Sequence, residues 1–326
     1  MAINYLFITL SGFLTGTFLM FFLKKLSLRY RIFSQQGIPL VGGIAMGLSF
    51  MIASGVGFLL LESISREVKG VILASCIMLV FGAIDDWKEL SILTKFFVQL
   101  IATTCLIFFG IRTQIVTIAN TANIIITFIW VLGITNAFNH LDILDGLAGS
   151  TAIIVSLAFF IISFLHGDRQ TAALTLALAG AIFGFLIYNF PPAKVYMGNA
   201  GSHFLGFLLA AIALSISYAP LERKVALASP LLILGLPIYD TAFLILIRTF
   251  KKTLPFKKTN DHLALRFLAL GYSNKKTLFS LLGLGLFFSL CGILVSQASN
   301  LFSIIIIAFV ILVALALSRR MSEVSI

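Results

Sequence analysis

The sequence predicts an all-α protein that crosses a membrane about ten or eleven times as helices. Two observations predict it. Apolar residues make up 60% of the 326 residues and charged residues 11%, with a mean hydropathy of +1.09, a balance that no domain with a solvated surface sustains. Weakly charged stretches of about 20 residues, each long enough to cross a hydrocarbon layer roughly 30 Å thick, recur with short polar gaps between them. In order they lie near 3–22, 42–61, 70–84, 95–111, 122–135, 148–165, 171–188, 202–218, 226–247, 277–295 and 301–317. The third and fifth are short, which leaves the count at ten or eleven. No internal repeat, low-complexity segment or soluble domain interrupts them, so 1–326 reads as one integral membrane domain.

The first span has neither a basic leader nor a small-residue cleavage site, and Lys24 and Lys25 follow it, so it reads as a retained helix. The surplus of eleven positive charges follows the topology rather than a nucleic-acid surface. Only Arg66, Lys69, Arg112, Arg169, Arg223 and Lys224 fall in the even-numbered gaps; the other 17 of the 23 Lys and Arg fall in the odd-numbered gaps or after the last span. The positive-inside rule then puts the N-terminus outside and the C-terminus inside. Cys76, Cys105 and Cys291 lie within spans without metal-ligand spacing, as packing residues.

The polar gaps carry the chemistry. Gly37-Ile38-Pro39-Leu40-Val41-Gly42-Gly43 enters the second span either as a permissive turn or as a glycine-lined approach to a ligand. Asp85-Asp86-Trp87-Lys88-Glu89 ends the third span. Adjacent carboxylates repel unless a cation lies beside them, which makes them candidates for a divalent metal; a solvated cap paired with Lys88 is the plain alternative. Lys95 and Gln99 share the next helical face.

The stretch from Asn136 to Gly149 is the most polar at a membrane boundary, and intramembrane ionisable groups are expensive enough to suggest a functional cavity. Asn136, Asn139, Asp142 and Asp145 recur every three residues. In a straight α-helix each such step lags by about 60°, so the four converge only if the backbone bends or opens, which Gly146 and Gly149 permit. His140 reads as a satisfied structural group.

Farther on, Asn189, Pro191 and Pro192 end a helix, and Gly198 and Gly201 bracket Asn199 where the next begins, either as an anion-binding helix start or as a plain cap. Asp240 lies inside the ninth span and requires a partner, with Arg248 two turns away as a candidate. In the largest loop, His262 and Arg266 stand at i,i+4 and can face one phosphate. Lys251, Lys252, Lys257 and Lys258 read as a patch that holds this loop to anionic lipid. Gly12 and Gly16 are spaced for a helix contact.

Taken in order, these motifs resemble the polyprenyl-phosphate N-acetylhexosamine-1-phosphate transferases of glycosyltransferase family 4, which include the phospho-N-acetylmuramoyl-pentapeptide transferases. The resemblance lies in Ile38-Pro39 with Gly42-Gly43, Gly82 with Asp85-Asp86, Lys95 with Gln99, Asn136 through Gly149, Asn189 with Pro192-Ala193, Met197 through Ser202, Pro237 with Asp240-Thr241, and Asp261-His262 with Arg266. It implies ten or eleven helices in the bacterial cytoplasmic membrane with an active site facing the cytoplasm. It also implies Mg²⁺, with Mn²⁺ as a substitute, a UDP-sugar donor and a polyprenyl-phosphate acceptor. No nucleic-acid partner is implied, the partners otherwise being membrane lipids and, as an open case, a second copy in a homodimer. By the same resemblance, Asp85, Asp86, Asp142 and Asp145 are catalytic, Lys95, Asn136, Asn139, Asn189, His262 and Arg266 bind substrate, and Asp86 with Asn199 holds the metal. Asn199 stands where the family usually has Asp, Leu265 where it has a second loop histidine, and Ile143 where it has Gly. The triple-histidine loop of the muramoyl-pentapeptide branch is absent, which favours a simpler UDP-N-acetylhexosamine donor.

Two other readings compete. Asp142-x-x-Asp145 and Asp85-Asp86-x-x-Glu89 also suit an intramembrane prenyltransferase that holds a prenyl diphosphate through Mg²⁺. A lipid-linked sugar transporter or a non-catalytic binder would account for the missing Asp and His.

Overall fold

The computed structural model describes residues 2–62, 64–220, 222–251 and 261–324. Helices α1 (Ala2–Tyr30), α2 (Gly42–Leu61), α3 (Arg66–Trp87), α4 (Ile92–Phe108) and α5 (Asn120–Leu141) are followed by α6 (Leu147–Leu165), α7 (Arg169–Asn189) and α8 (Gly198–Ser215). After a 3₁₀ turn at Lys224–Ala228 come α9 (Ser229–Ile233), α10 (Gly235–Phe250), α11 (Leu263–Ala269), α12 (Asn274–Gln297) and α13 (Asn300–Ser322). Among the described residues, nine helices are long and apolar enough to cross a membrane. The segments Lys224–Ile233 and Gly235–Phe250 form a tenth candidate that bends by 77° at Leu234, and α4 is a shorter apolar helix.

Polar residues of the gaps start several of these helices. Ser65, Ser91, Asp168 and Ser273 each accept a hydrogen bond from the backbone N–H three residues on, satisfying a donor the helix cannot. Two sequence boundaries move outward for the same kind of reason. Helix α3 runs past the apolar stretch at both ends, and α5 runs on to Leu141, because charged and amide side chains at a membrane boundary do not break a helix whose backbone bonds continue.

In lipid, apolar surface gives helices little reason to associate, and close backbone approach at small residues holds them together. Gly12 and Gly16 of α1 meet Ala177 and Ala181 of α7, where a Cβ on Gly12 would lie 2.9 Å from the Ala177 carbonyl. Helix α8 is walled in on three sides: Gly43 of α2 abuts Gly201, Gly82 of α3 abuts Ala200, and Gly206 abuts Thr135 of α5. A Cβ on Gly82 would lie 2.5 Å from the Ala200 Cα. Gly42 and Gly43 thus serve helix contact and not the approach to a ligand.

The buried side chains form two clusters. One joins α1 through α9; the other gathers Leu236, Phe243 and Ile247 of α10 with residues of α11 to α13. Leu141, Leu144 and Leu147, which bracket the turn between α5 and α6, belong to the second, whereas Phe138 and Ala148 belong to the first.

Candidate active site

Four connections meet at one end of the bundle and enclose a cleft of about 720 Å³. They are the loops α1–α2, α3–α4, α5–α6 and α7–α8. The first contributes a hairpin, Ser34–Gln35 paired with Ile38–Pro39, whose turn residues Gln36 and Gly37 take φ of +51° and +81°. This hairpin is stitched to the α7–α8 loop: Tyr196 N donates to the Pro39 carbonyl at 2.8 Å, and Gly42 N and Gly43 N donate to the Tyr196 and Met197 carbonyls.

The paired aspartates sit at the end of α3. Gly82 lets this helix press on the start of α8, and Asp86, one turn beyond Gly82, reaches over the α8 N-terminus. Its Oδ1 accepts from Asn199 N at 2.7 Å and its Oδ2 from Ala200 N at 2.9 Å, so a carboxylate from another helix caps α8 where its dipole favours negative charge. Asp85 is buried beside it. Lys95 Nζ lies 2.6 Å from Asp85 Oδ2, and Leu90 N donates to Oδ1 at 2.8 Å. The repulsion expected of adjacent carboxylates is therefore relieved by Lys95 and the α8 amides, and the anticipated partner Lys88 is not the one used.

The opening of the backbone expected between Asn136 and Gly149 occurs after Leu141. Helix α5 stops there, Asp142 to Gly146 form a turn with Gly146 at φ +77°, and α6 begins at Leu147; Gly149 lies within α6 and takes no part in the turn. Asn136 and Asn139 remain on the last turns of α5 and face different neighbours. The Asn136 amide exchanges hydrogen bonds with Gln99 of α4. Asn139 Nδ2 donates to Asn199 Oδ1 at 3.2 Å and to Ser202 Oγ at 2.9 Å.

The two later aspartates are treated differently. Asp145 Oδ2 accepts from Ala193 N at 2.9 Å, and the buried Asn189 braces the same junction by accepting from Gly146 N and donating to the Val195 carbonyl. The Asp142 carboxylate makes no hydrogen bond or ion pair among the described residues, its backbone N–H alone being bonded, to the Phe138 carbonyl. Burial, then the negative charges of Asp86 and Asp145, push its carboxyl from 3.8 up to about 7.

Asp85, Asp86, Glu89, Asp142 and Asp145 line the cleft together with Asn139, Asn189, Asn199 and Ser202, and no Lys, Arg or His is among its described lining residues. No three described His, Cys, Asp or Glu side chains converge as a ready-made metal cage. The oxygen donors fit a hard divalent cation of the kind that takes one or two protein carboxylates and completes its shell with substrate phosphate and water. Ser202 joins the expected site residues, and its spacing of three from Asn199 on one helical face is the signal in the sequence that points to it.

The loop residues sort differently. His262 is buried at the start of α11, and its Nδ1 lies 2.9 Å from Asp240 Oδ2; Asp240 Oδ1 accepts from Leu263 N at 2.9 Å. The partner of the intramembrane carboxylate is thus His262 and not Arg248. The His140 and His262 rings lie 5.9 Å apart. Arg266 does not reach the cleft. Its guanidinium is fully buried, donating to the Met321 and Val324 carbonyls at 2.7 Å and to Asp261, so it ties the loop to the end of α13 and does not face a phosphate. Lys251 pairs with Asp261 at 2.7 Å, whereas Lys252, Lys257 and Lys258 of the basic patch lie outside the described residues.

Fold and cleft together define a class: an integral membrane protein that draws carboxylates from separate helix ends into one polar cavity. A family model described as glycosyl transferase family 4 matches residues 68–217. The chain is 30% identical over 288 residues to the probable undecaprenyl-phosphate N-acetylglucosaminyl 1-phosphate transferase of Bacillus subtilis, covering 84% of this chain and 78% of that protein. It is 30% identical over 286 residues to the decaprenyl-phosphate N-acetylglucosaminephosphotransferase of Mycolicibacterium smegmatis, covering 76% and 69%. With the phospho-N-acetylmuramoyl-pentapeptide-transferase of Clostridium botulinum it shares 34% over 199 residues, covering 55% and 60%. The chain belongs to glycosyl transferase family 4 and is a membrane transferase.

Proposed function

We propose that this enzyme transfers a sugar-1-phosphate, an N-acetylhexosamine-1-phosphate, from a UDP-sugar to undecaprenyl or another polyprenyl phosphate. UMP is released, and the product is the first lipid-linked intermediate of a cell-envelope glycan. The Bacillus subtilis and Mycolicibacterium smegmatis relatives carry such acceptors in their names. The observation that carries the reading is the cleft itself. Five carboxylates line it without a basic side chain, a surface that repels a diphosphate unless a divalent cation intervenes.

Asp142 and Asp86 are the carboxylates that would hold Mg²⁺, with the Asn199 amide oxygen beside them. When bound, the ion neutralises charge on the diphosphate oxygens. The chain's own residues position the rest. The α8 N-terminus, fixed by Asp86, sets the floor of the cleft, and Asn139 orients the Asn199 amide. Asn189 and Asp145 lock the α5–α6 turn that carries Asp142. Asp85 holds the Lys95 ammonium, whose side chain is 25% exposed and so remains open to an anionic group. An acceptor-phosphate oxygen forms a bond to the β-phosphorus as the bond from that phosphorus to the bridging oxygen breaks, and the electron pair leaves with UMP. Such transfer needs little beyond positioning and charge compensation. The Lys- and Arg-rich gaps support a cleft on the cytoplasmic face of a bacterial inner membrane.

The test is purified protein in detergent with undecaprenyl phosphate and a mixture of UDP-sugars, read by nucleotide release and by the mass of the lipid product. Release of UMP with a polyprenyl diphosphate N-acetylhexosamine is expected. Release of inorganic diphosphate from a prenyl diphosphate, or binding without turnover, would replace the reading with the prenyltransferase or the silent binder.

A further inference from the structure

We propose that Asp240 is a positioning residue that fixes the ring of His262 so that Nε2 is its one working nitrogen at the phosphotransfer site; this rests on the function proposed above. Asp240 lies in α10, just beyond the break at Leu234, and is 3% exposed. A carboxylate at such a depth is costly unless it is paired. Its two oxygens are divided between the two atoms that define where His262 sits. Oδ2 takes Nδ1 of the ring, and Oδ1 takes the N–H of Leu263, the next residue along the chain. One side chain therefore fixes both the ring and the backbone that bears it.

The consequence for the imidazole is chemical. A carboxylate only accepts, so the proton of neutral His262 resides on Nδ1 and the lone pair on Nε2. Nε2 has no partner among the described residues. It can accept a proton or, once protonated, donate to an anionic oxygen. His140 closes one side of the ring at 5.9 Å between centroids and 40° between planes. Neither ring lines the cleft, but His140 sits on α5 between Asn139 and Asp142, which do, so the pair backs the wall from which the acidic turn leaves. A carboxylate needed only to start α11 would have had no reason to be Asp: an exposed Ser or Asn at the cap position accepts the same N–H without burial of charge.

Two measurements test the inference. Nitrogen-15 spectra of histidine-labelled protein in detergent at alkaline pH, with His262 assigned by its loss in His262→Gln, are expected to show His262 as the Nδ1–H tautomer. An Nε2–H tautomer in the wild-type protein would overturn the pairing. In the UMP-release assay, Asp240→Asn and His262→Gln are each expected to lower kcat about 100-fold with little change in KM for the donor. The double variant should be no slower than His262→Gln alone, because Asp240 acts through His262. Multiplied losses in the double variant, or a loss confined to KM, would show a merely structural carboxylate and overturn the proposal. Wild-type protein that releases no UMP from any UDP-sugar would remove the phosphotransfer reading instead, and the tautomer would still decide the pair.

Discussion

Asp85 and Asp86 stand side by side at the end of α3 with all four carboxylate oxygens engaged, whereas in the turn after α5 only Asp145 is bonded and Asp142 is not. Both stretches look alike in sequence, two acids at a membrane boundary. In the first, Asp85 is taken up by Lys95 and the Leu90 N–H, and Asp86, although it lines the cleft, is held by the N-terminus of α8. The second keeps one carboxylate without a hydrogen-bond or ion-pair partner among the described residues, and burial with two acidic neighbours raises its proton affinity. Acidity at a membrane surface therefore does not by itself mark the reacting groups; what partners each acid decides.

The largest expected effect is at Asp142. Asp142→Asn should lower UMP release by about 1,000-fold, the scale of losing one well-placed electrostatic group. In chelator-treated protein it should also change the dependence of stability on pH. With the carboxyl raised from 3.8 to about 7 in the fold, the folded state binds more protons than the unfolded one between those values, so wild-type stability falls as pH rises through that window. Asp142→Asn lacks this loss and should melt a few degrees above wild type at pH 8 while matching it near pH 4, by scanning fluorimetry; about 2–4 °C is the scale of 1 kcal/mol at this size. Parallel melting curves for the two proteins would erase the contrast between the acidic turns.

Asp85→Asn should be milder in turnover and harsher in stability. It leaves Lys95 against a neutral amide, costing about 2 kcal/mol once the partial exposure of the lysine is allowed for, with activity down about 10- to 100-fold. Adding Lys95→Met should restore the melting temperature without restoring activity. A single variant that melts like wild type yet is as inactive as Asp142→Asn would place both acids in the same role.

Asn199→Asp should have the smallest effect. Aspartate keeps an acceptor for Asn139 Nδ2 and adds charge beside Asp86, so activity should persist and the Mg²⁺ concentration for half-maximal rate should fall about tenfold. An unchanged metal requirement would remove residue 199 from the surroundings of the ion.

Much of this was legible in the sequence because lipid leaves few options. Apolar runs of the right length become helices, and the four cleft-forming gaps follow from alternation of the spans. The three-residue spacing from Asn136 to Asp145 anticipated the opening of the backbone, but only Asn139, Asp142 and Asp145 converge on the cleft, while Asn136 turns to Gln99. What the sequence did not disclose was partnership across helices. Lys95 and Lys88 are equally plausible mates for an acid at the end of α3, and only the packing of Gly82 on Ala200 turns Asp86 toward α8. His262 and Arg266, four apart on one short helix, looked equivalent, yet Arg266 is consumed by the carbonyls of a helix end more than 50 residues away. No local pattern encodes such a contact.

The turn from Asp142 to Gly146 also has a mechanical meaning. It is the seam between the two packed bodies of the molecule, with Phe138 and Ala148 rooted in one and Leu141, Leu144 and Leu147 in the other. A small slide of α10 to α13 past the rest would be delivered to the Asp142 carboxylate, which has no hydrogen bond or ion pair among the described residues. Asp142 thus stands at a joint, and its distance from Asp86, which is pinned to α8, is the length that such a slide would change.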